Sequence, residues 1–320
     1  MWKTILRRVI LMIPQIIILS MFIFALAKAM PGDPFTGLIT PNTDPNRIEE
    51  LREEAGLNDP WPTQYVNWVK KAVKGDFGVS YVKKMPVSRV IADKAVNTIW
   101  LSTFALILTY AIALPFGMLA GRYQNSFFDR FVVAYNYISF AVPPFVLSLL
   151  MMYAFGYKLA WFPTNGSGTV GIPHGTLEFY VDKFQHIILP AITQALLATA
   201  VTIQYLRTEV IDSKGLDYVK TARSKGVPEG KVYTRHIFRN ASLPVASTFG
   251  YEITGLIGGS IFIETIFGYP GIGKLFIDSL NGRDYSVITA LVLILGIATL
   301  VGTLLSDIIL SIVDPRIRIQ

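Results

Sequence analysis

Two stretches of this chain carry no charged residue over the length of a bilayer: Thr98 to Ala120, and the 25 residues from Phe131 to Phe155. About 20 apolar residues in an α-helix cross the hydrocarbon of a membrane, and backbone in lipid must satisfy its own hydrogen bonds. Such runs therefore have to be helices in lipid. Four more runs are comparably apolar: Val9 to Ala27 and Ile187 to Leu206 without a charge, and Leu243 to Ile263 and Ser286 to Val313 with one acid each. The expected fold is an all-α integral membrane protein of six transmembrane helices. The first run follows Lys3, Arg7 and Arg8 as a signal peptide would, but it is longer than the usual core of one, so it reads as a retained helix.

Net charge is +7, which on its own would admit a nucleic-acid partner. The distribution argues otherwise. Segments that six spans place on the side of the termini hold 15 lysines and arginines against 6 acids, while the opposite side holds 14 against 13. That bias is the positive-inside signature of topology, with both termini cytoplasmic. No cluster is left over to line a nucleic-acid groove. With no cysteine, neither a disulfide framework nor a thiolate metal site can form.

The spans divide the chain into an amino-terminal end with helix 1 (1–30), an extracytoplasmic subdomain (31–97), a core of helices 2 to 6 (98–313) and a cytoplasmic carboxyl end (314–320). The polar interval 31–97 contains Pro31-Gly-Asp-Pro34, an amphipathic pattern from Pro45 to Ala55, and Trp61, Tyr65 and Trp68 placed as aromatic residues at a membrane interface. Pro143 and Pro144 must kink or break the third span and are candidates to line a cavity. Gly117-x-x-x-Gly121 and Gly255-x-x-x-Gly259 are spacings that let helix backbones approach closely.

Three acids lie in apolar surroundings. Burying a carboxylate in hydrocarbon costs a few kcal/mol, so Glu252 is a candidate pathway or gate residue, with structural pairing the equal alternative, whereas Glu264 and Asp307 near span ends read as structural. Gly268-Tyr-Pro-Gly-Ile-Gly273-Lys274 has the spacing of a nucleotide-binding phosphate loop. Leu275 stands where a magnesium-binding Ser or Thr is needed and the segment belongs on the outer side, so the resemblance is a decoy. His174, His186 and His236 fall in separate segments. No catalytic residue, metal site or cofactor site is expected in this chain.

The stretch 207–242 is the most organised of the polar segments. Asp217 can cap a short helix, Tyr218 and Ala222 share one of its faces, Gly226 can end it in a left-handed conformation, and Pro228 suits the start of the next. This stretch resembles the coupling loop of ABC importer permeases, specifically their oligopeptide and dipeptide branch. The residues carrying the likeness are Asp217-Tyr-Val-Lys-Thr-Ala-Arg-Ser-Lys-Gly226, His236, Arg239-Asn240, Leu243-Pro244, Gly258-Gly-Ser260, Glu264-Thr-Ile-Phe267 and Pro270-Gly-Ile-Gly273. Pro31-Gly-Asp-Pro34, Gly75-Asp-Phe-Gly78, Ser80-Tyr81, Pro86-Val87 and Asp314-Pro-Arg-Ile317 are similar to the first permease subunit of that branch. Lys220-Thr221-Ala222 departs from the Glu-Ala-Ala of permeases in general.

The resemblance implies a type I importer fold in a bacterial or archaeal cell membrane. It implies a heterodimer with a second, related permease, two cytoplasmic ABC ATPases that bind ATP and Mg, an extracytoplasmic binding protein and a peptide as cargo. Asp217, Tyr218, Thr221, Ala222, Arg223, Lys225 and Gly226 are then the ATPase-coupling residues. An importer of the same architecture for nickel chelates or another small solute is the alternative. An intramembrane hydrolase would need a nucleophile and base at one depth, and none is visible; a stand-alone carrier would work without ATPases.

Overall fold

A computed structural model describes residues 2–29, 49, 50, 52, 53, 56–80 and 82–313. The Pro31–Pro34 motif, Tyr81, most of the amphipathic segment 45–55 and the terminal segment 314–320 lie outside the described residues. Among the described residues, four helices are long and apolar enough to cross a membrane: α1 (Trp2–Ala29), α3 (Val87–Arg122), α6 (Leu177–Ser213) and α13 (Tyr285–Val313). Helices α3 and α6 outrun the apolar stretches that identify them, since α3 begins at Val87 rather than Thr98 and α6 at Leu177 rather than Ile187. The polar flanks continue the helix because Thr176 caps α6 by accepting from the Phe179 N–H, and Pro86 precedes α3 where a missing donor costs nothing.

The third apolar run is broken where its prolines require it. Helix α4 (Phe127–Ala141) stops at Val142, and α5 starts at Pro144 at an angle of 107° to it. Helix α5 (Pro144–Met151) unwinds into a π-helical turn, Met152–Lys158. The fifth run differs from the continuous helix expected of it. Helix α10 (Leu243–Gly255) ends in turns at Leu256–Gly258, and a separate short helix, α11 (Ile261–Ile266), follows. Gly259, at φ +64°, sits in this break, so the Gly255-x-x-x-Gly259 spacing never presents one helical face. Close packing of α10 on α13 comes instead from Gly250, where a Cβ would overlap the Ser306 backbone, and from Gly302, where it would strike Thr254. The other glycine pair does what its spacing predicts: a Cβ on Gly117 would lie 2.9 Å from Leu206 Cβ, and one on Gly121 2.7 Å from Val210 Cβ. The α3–α6 pair forms the most extensive helix contact, and α10–α13 the next.

The remaining elements pack at the ends of these helices. Helix α2 (Trp61–Val73) lies on α1, with Tyr65 and Trp68 around Phe24 and the Tyr65 hydroxyl 2.7 Å from Ser20 Oγ. Trp61 is exposed. A two-residue antiparallel ribbon, β1 (Val79–Ser80) with β2 (Met85–Pro86), is tied to the start of α13 by a buried hydrogen bond from Ser80 to Asp284. Arg8 and Asp307 join α1 to α13 at 3.1 Å, which gives Asp307 a structural partner. At the basic end lie α7 (Asp217–Ser224), α8 (Glu229–Lys231), a π-helical stretch Val232–Ile237 and α9 (Phe238–Ala241). At the opposite end lies α12 (Ile272–Asn281), which begins inside the glycine-lysine motif and puts Ile272 and Leu275 in the core.

Candidate functional site

The α7 segment is built with one buried apolar face and one exposed polar face. Its inner residues Val219 and Ala222 join Leu206 and Val210 of α6 and Val232, Tyr233 and Ile237 of the π-helical stretch in a single apolar cluster. Its outer residues Asp217, Lys220, Thr221 and Ser224, spaced three and four apart, are all exposed. Asp217 is not the cap that the sequence suggests. Leu216 occupies that position without a side-chain bond, and Asp217 instead sits in the first turn, where its charge favours the helix dipole and its Oδ1 accepts from Lys220 Nζ at 2.9 Å.

Gly226 ends α7 as expected. At φ +73° it donates to the Arg223 carbonyl at 2.9 Å, while the Val227 N–H reaches back to the Ala222 carbonyl at 3.2 Å, the paired bonds of a Schellman motif. Val227 packs on the same cluster as Ala222. Arg223 then turns outward to hold Glu229 at the start of α8, Nε to Oε1 at 2.7 Å, which lowers the Glu229 carboxyl below its ordinary range. Lys225 is exposed beside this turn, and Tyr218 is half-buried against the cluster with no hydrogen-bond partner for its buried hydroxyl among the described residues.

Two further contacts fix this end of the molecule to α3, and a third ties α6 to α4; no local spacing in the sequence announces the first two. Arg122, the last residue of α3, lies over the Tyr233 ring at 4.7 Å. Lys214 Nζ donates to the Arg122 carbonyl at 3.0 Å, and burial holds its ammonium below the usual lysine range. Arg207 on α6 makes a two-point ion pair with Asp129 in the first turn of α4. The one local signal for the last was Ser126, three residues before Asp129, a capping spacing in which Ser126 Oγ does accept from the Asp129 N–H.

The pathway candidates are not gathered in one place. Glu252, on α10, accepts a 2.5 Å hydrogen bond from Tyr110 Oη on α3, so this intramembrane carboxylate has a partner. Tyr110 also forms one wall of an apolar crevice of about 430 Å³ with Leu106, Leu114, Phe238, Val245 and Phe249. Pro143 and Pro144 stand apart at the α4–α5 break.

Glu264 is the most enclosed acid of the described residues, with no exposed surface. Its Oε1 accepts from Thr98 Oγ1 at 2.8 Å and its Oε2 from the Lys274 N–H at 3.1 Å, while Thr98 Oγ1 also accepts from the Ile272 N–H at 2.7 Å. The glycine-lysine motif thus closes on a side chain of the same polypeptide, the Lys274 N–H donating to the Glu264 carboxyl.

With this architecture in view, comparison with known proteins is decisive. Residues 113–319 match the family described as binding-protein-dependent transport system inner membrane component, and residues 1–102 match the amino-terminal region of such membrane components. The chain belongs to this family. It is 40% identical over 98% of its length, and 98% of the relative's, to the oligopeptide transport system permease protein AppB of Bacillus subtilis (strain 168). It is 32% identical to the glutathione transport system permease protein GsiC of Escherichia coli (strain K12), over 99% of both chains. It is 33% identical to the probable peptide ABC transporter permease protein y4tP of Sinorhizobium fredii, over 98% of both. The protein is a multi-pass membrane permease of a transporter complex, not its ATPase.

Proposed function

We propose that this permease is one half of the translocation path of an ATP-driven peptide importer, worked from the cytoplasm through α7. The observation that carries the reading is the division of α7 into a locked apolar face and a free polar face. A permease without its own energy source needs a surface that a motor can push, and a helix pushed on one side transmits force only if its other side is fixed. Val219 and Ala222 supply the fixed side; Asp217, Lys220, Thr221, Arg223 and Lys225 supply the docking side, and Gly226 sets the angle at which the chain leaves. Tyr218 wedges between them.

On this reading two ABC ATPases, which bind the ATP and Mg, dock one on each permease of a heterodimer with a second, homologous permease. An extracytoplasmic binding protein hands over the peptide, and both termini lie in the cytoplasm of a bacterial or archaeal cell. The charge bias toward the α7 side supports the orientation. Peptide cargo is supported by the names of the relatives, one oligopeptide, one glutathione and one peptide permease. Closure of the ATPases moves α7 with the α6 end, and the path alternates between outward and inward openings by rigid-body rocking. Glu252 with Tyr110, and the Pro143–Pro144 break, are the proposed pathway or gate elements.

The experiment is peptide uptake by the reconstituted complex carrying Ala222→Asp or Gly226→Pro. An unpaired charge under α7 destabilises its seat by about 3–5 kcal/mol. Proline at 226 cannot adopt the positive φ or donate to Arg223. Both variants should lose uptake and release the ATPases; full uptake by a correctly assembled complex would sink the proposal.

A further inference from the structure

We propose that the Asp129–Arg207 ion pair is the joint that carries movement of α7 into the bent helices α4 and α5, so that these two side chains are positioning residues for transport. The inference rests on α7 being the docking surface. Arg207 sits on the turn of α6 that seats α7: Leu206, just before it, and Val210, one turn on, belong to the apolar cluster that holds Val219 and Ala222. Its guanidinium leaves that cluster and grips Asp129, Nε to Oδ1 at 2.5 Å and Nη2 to Oδ2 at 2.9 Å, with both side chains largely removed from solvent. Asp129 is in turn fixed to its own helix start, since Oδ2 also accepts from the Asn125 N–H at 2.7 Å.

Helix α6 packs on several elements, and it holds α3 and α4 differently. It meets α3 through Gly117 and Gly121, a wide apolar contact in which backbone touches side chain. It meets α4 through a smaller apolar cluster, in which Val132 joins Ile203, and through polar points: Asp129–Arg207 at one end, Asn136 Nδ2 to Gln204 Oε1 at 3.2 Å, and Tyr135 Oη to the Leu196 carbonyl at 2.6 Å. Asn136 Oδ1 is buried with no partner among the described residues, so the middle of this seam is incompletely satisfied. The two-point pair is its strongest member, and its fork geometry fixes both position and orientation where an apolar contact would allow sliding. At the far end of α4 lies the 107° break, and beyond it α5 packs on α11, with Phe145 and Phe262 rings 6.3 Å apart. A rotation entering at α7 thereby reaches the element that carries Glu264.

The test uses the full transport complex in proteoliposomes with Arg207→Lys, Asp129→Asn and the swap Asp129→Arg with Arg207→Asp. Lysine keeps the charge and gives up the fork. Both single variants should assemble and hydrolyse ATP but import about tenfold less peptide per ATP, the scale of one charge-assisted hydrogen bond. The swap should recover part of that loss. If Asp129→Asn does not assemble, Arg207→Lys decides alone. A second measurement separates a joint from a mere brace. The chain has no cysteine, so spin labels at Ile138→Cys and Leu216→Cys, both exposed positions, report the distance between α4 and the start of α7. That distance should stay fixed through the ATP cycle in the parent and spread in Arg207→Lys. A distance that changes in the parent, or an unaltered peptide-to-ATP ratio in Arg207→Lys, overturns the joint. If Ala222→Asp fails to release the ATPases, it is the docking reading that falls instead.

Discussion

The α7 segment and the α11–α12 segment are made of similar parts and put to opposite uses. Each joins two long stretches by short helices, and each turns on glycines at positive φ, Gly226 in the first and Gly259 and Gly268 in the second. In α7 the polar groups face out, and a Cβ on Gly226 would meet nothing within 4 Å. In α11–α12 they face in: Gly259, Gly271 and Gly273 all abut Glu264, whose carboxylate takes up the N–H groups the turn offers. A glycine turn beside a helix start is an open docking edge or a closed clasp according to whether the chain supplies its own acceptor.

The contrast breaks most visibly at that acceptor. Glu264→Ala removes the acceptor of Thr98 and of the Lys274 N–H inside a sealed pocket, which should cost about 3 kcal/mol or more. Glu264→Gln, which keeps the shape, should cost less. Asp217→Ala, on an exposed side chain, should stay within about 0.5 kcal/mol. Thermal unfolding of the purified complex checks all three. An Asp217 variant as unstable as Glu264→Ala would mean that α7 is a packing element and not a free face.

The glycines sharpen the contrast at smaller scale. A Cβ on Gly273 would lie 2.9 Å from Ile261 Cα, backbone that cannot swing aside, so Gly273→Ala should destabilise by about 1–3 kcal/mol. Gly226→Ala has room and meets only the left-handed backbone penalty, about 1 kcal/mol. Its larger effect should appear in uptake relative to ATP hydrolysis, because it alters the exit angle of α7 without loosening the core.

Much of this plan is legible in the residues because hydrocarbon is an unforgiving solvent. Apolar runs of bilayer length mark α1, α3, α6 and α13, and Pro143–Pro144 marks the sharp break, since a proline cannot donate to the turn before it. The Gly226 terminus was readable for the same local reason. What was not readable depended on pairing at long range. Gly117-x-x-x-Gly121 and Gly255-x-x-x-Gly259 look alike in sequence, and only the break at Leu256–Ser260 shows that the second never forms a face. Asp129 and Arg207 stand 78 positions apart, and Thr98 and Glu264 166 apart, so no local spacing announces them. The burial of the segment after Phe267 is likewise set by its contacts with Thr98 and Glu264, not by its own composition.

The smallest effect should come from the Arg223–Glu229 bridge, which fastens the open side of the α7 module as Glu264 fastens the closed clasp. The Arg223 guanidinium holds the Glu229 carboxyl below the ordinary glutamate range. A carboxyl whose folded value is depressed adds stability that is complete above its unfolded value, about 4.3, and disappears as pH falls through the lower folded value. Lowering pH from neutral through about 4 should therefore loosen the α7–α8 turn first in its amide hydrogen exchange, and Glu229→Gln should remove that part of the pH response. Because the pair is open to solvent, salt should weaken it as well. The amide of Lys274, bonded to a carboxylate that neither salt nor water reaches, should show no such salt response. Equal salt sensitivity at the two positions would mean that the difference between open surface and closed clasp, on which the docking role of α7 depends, does not hold in solution.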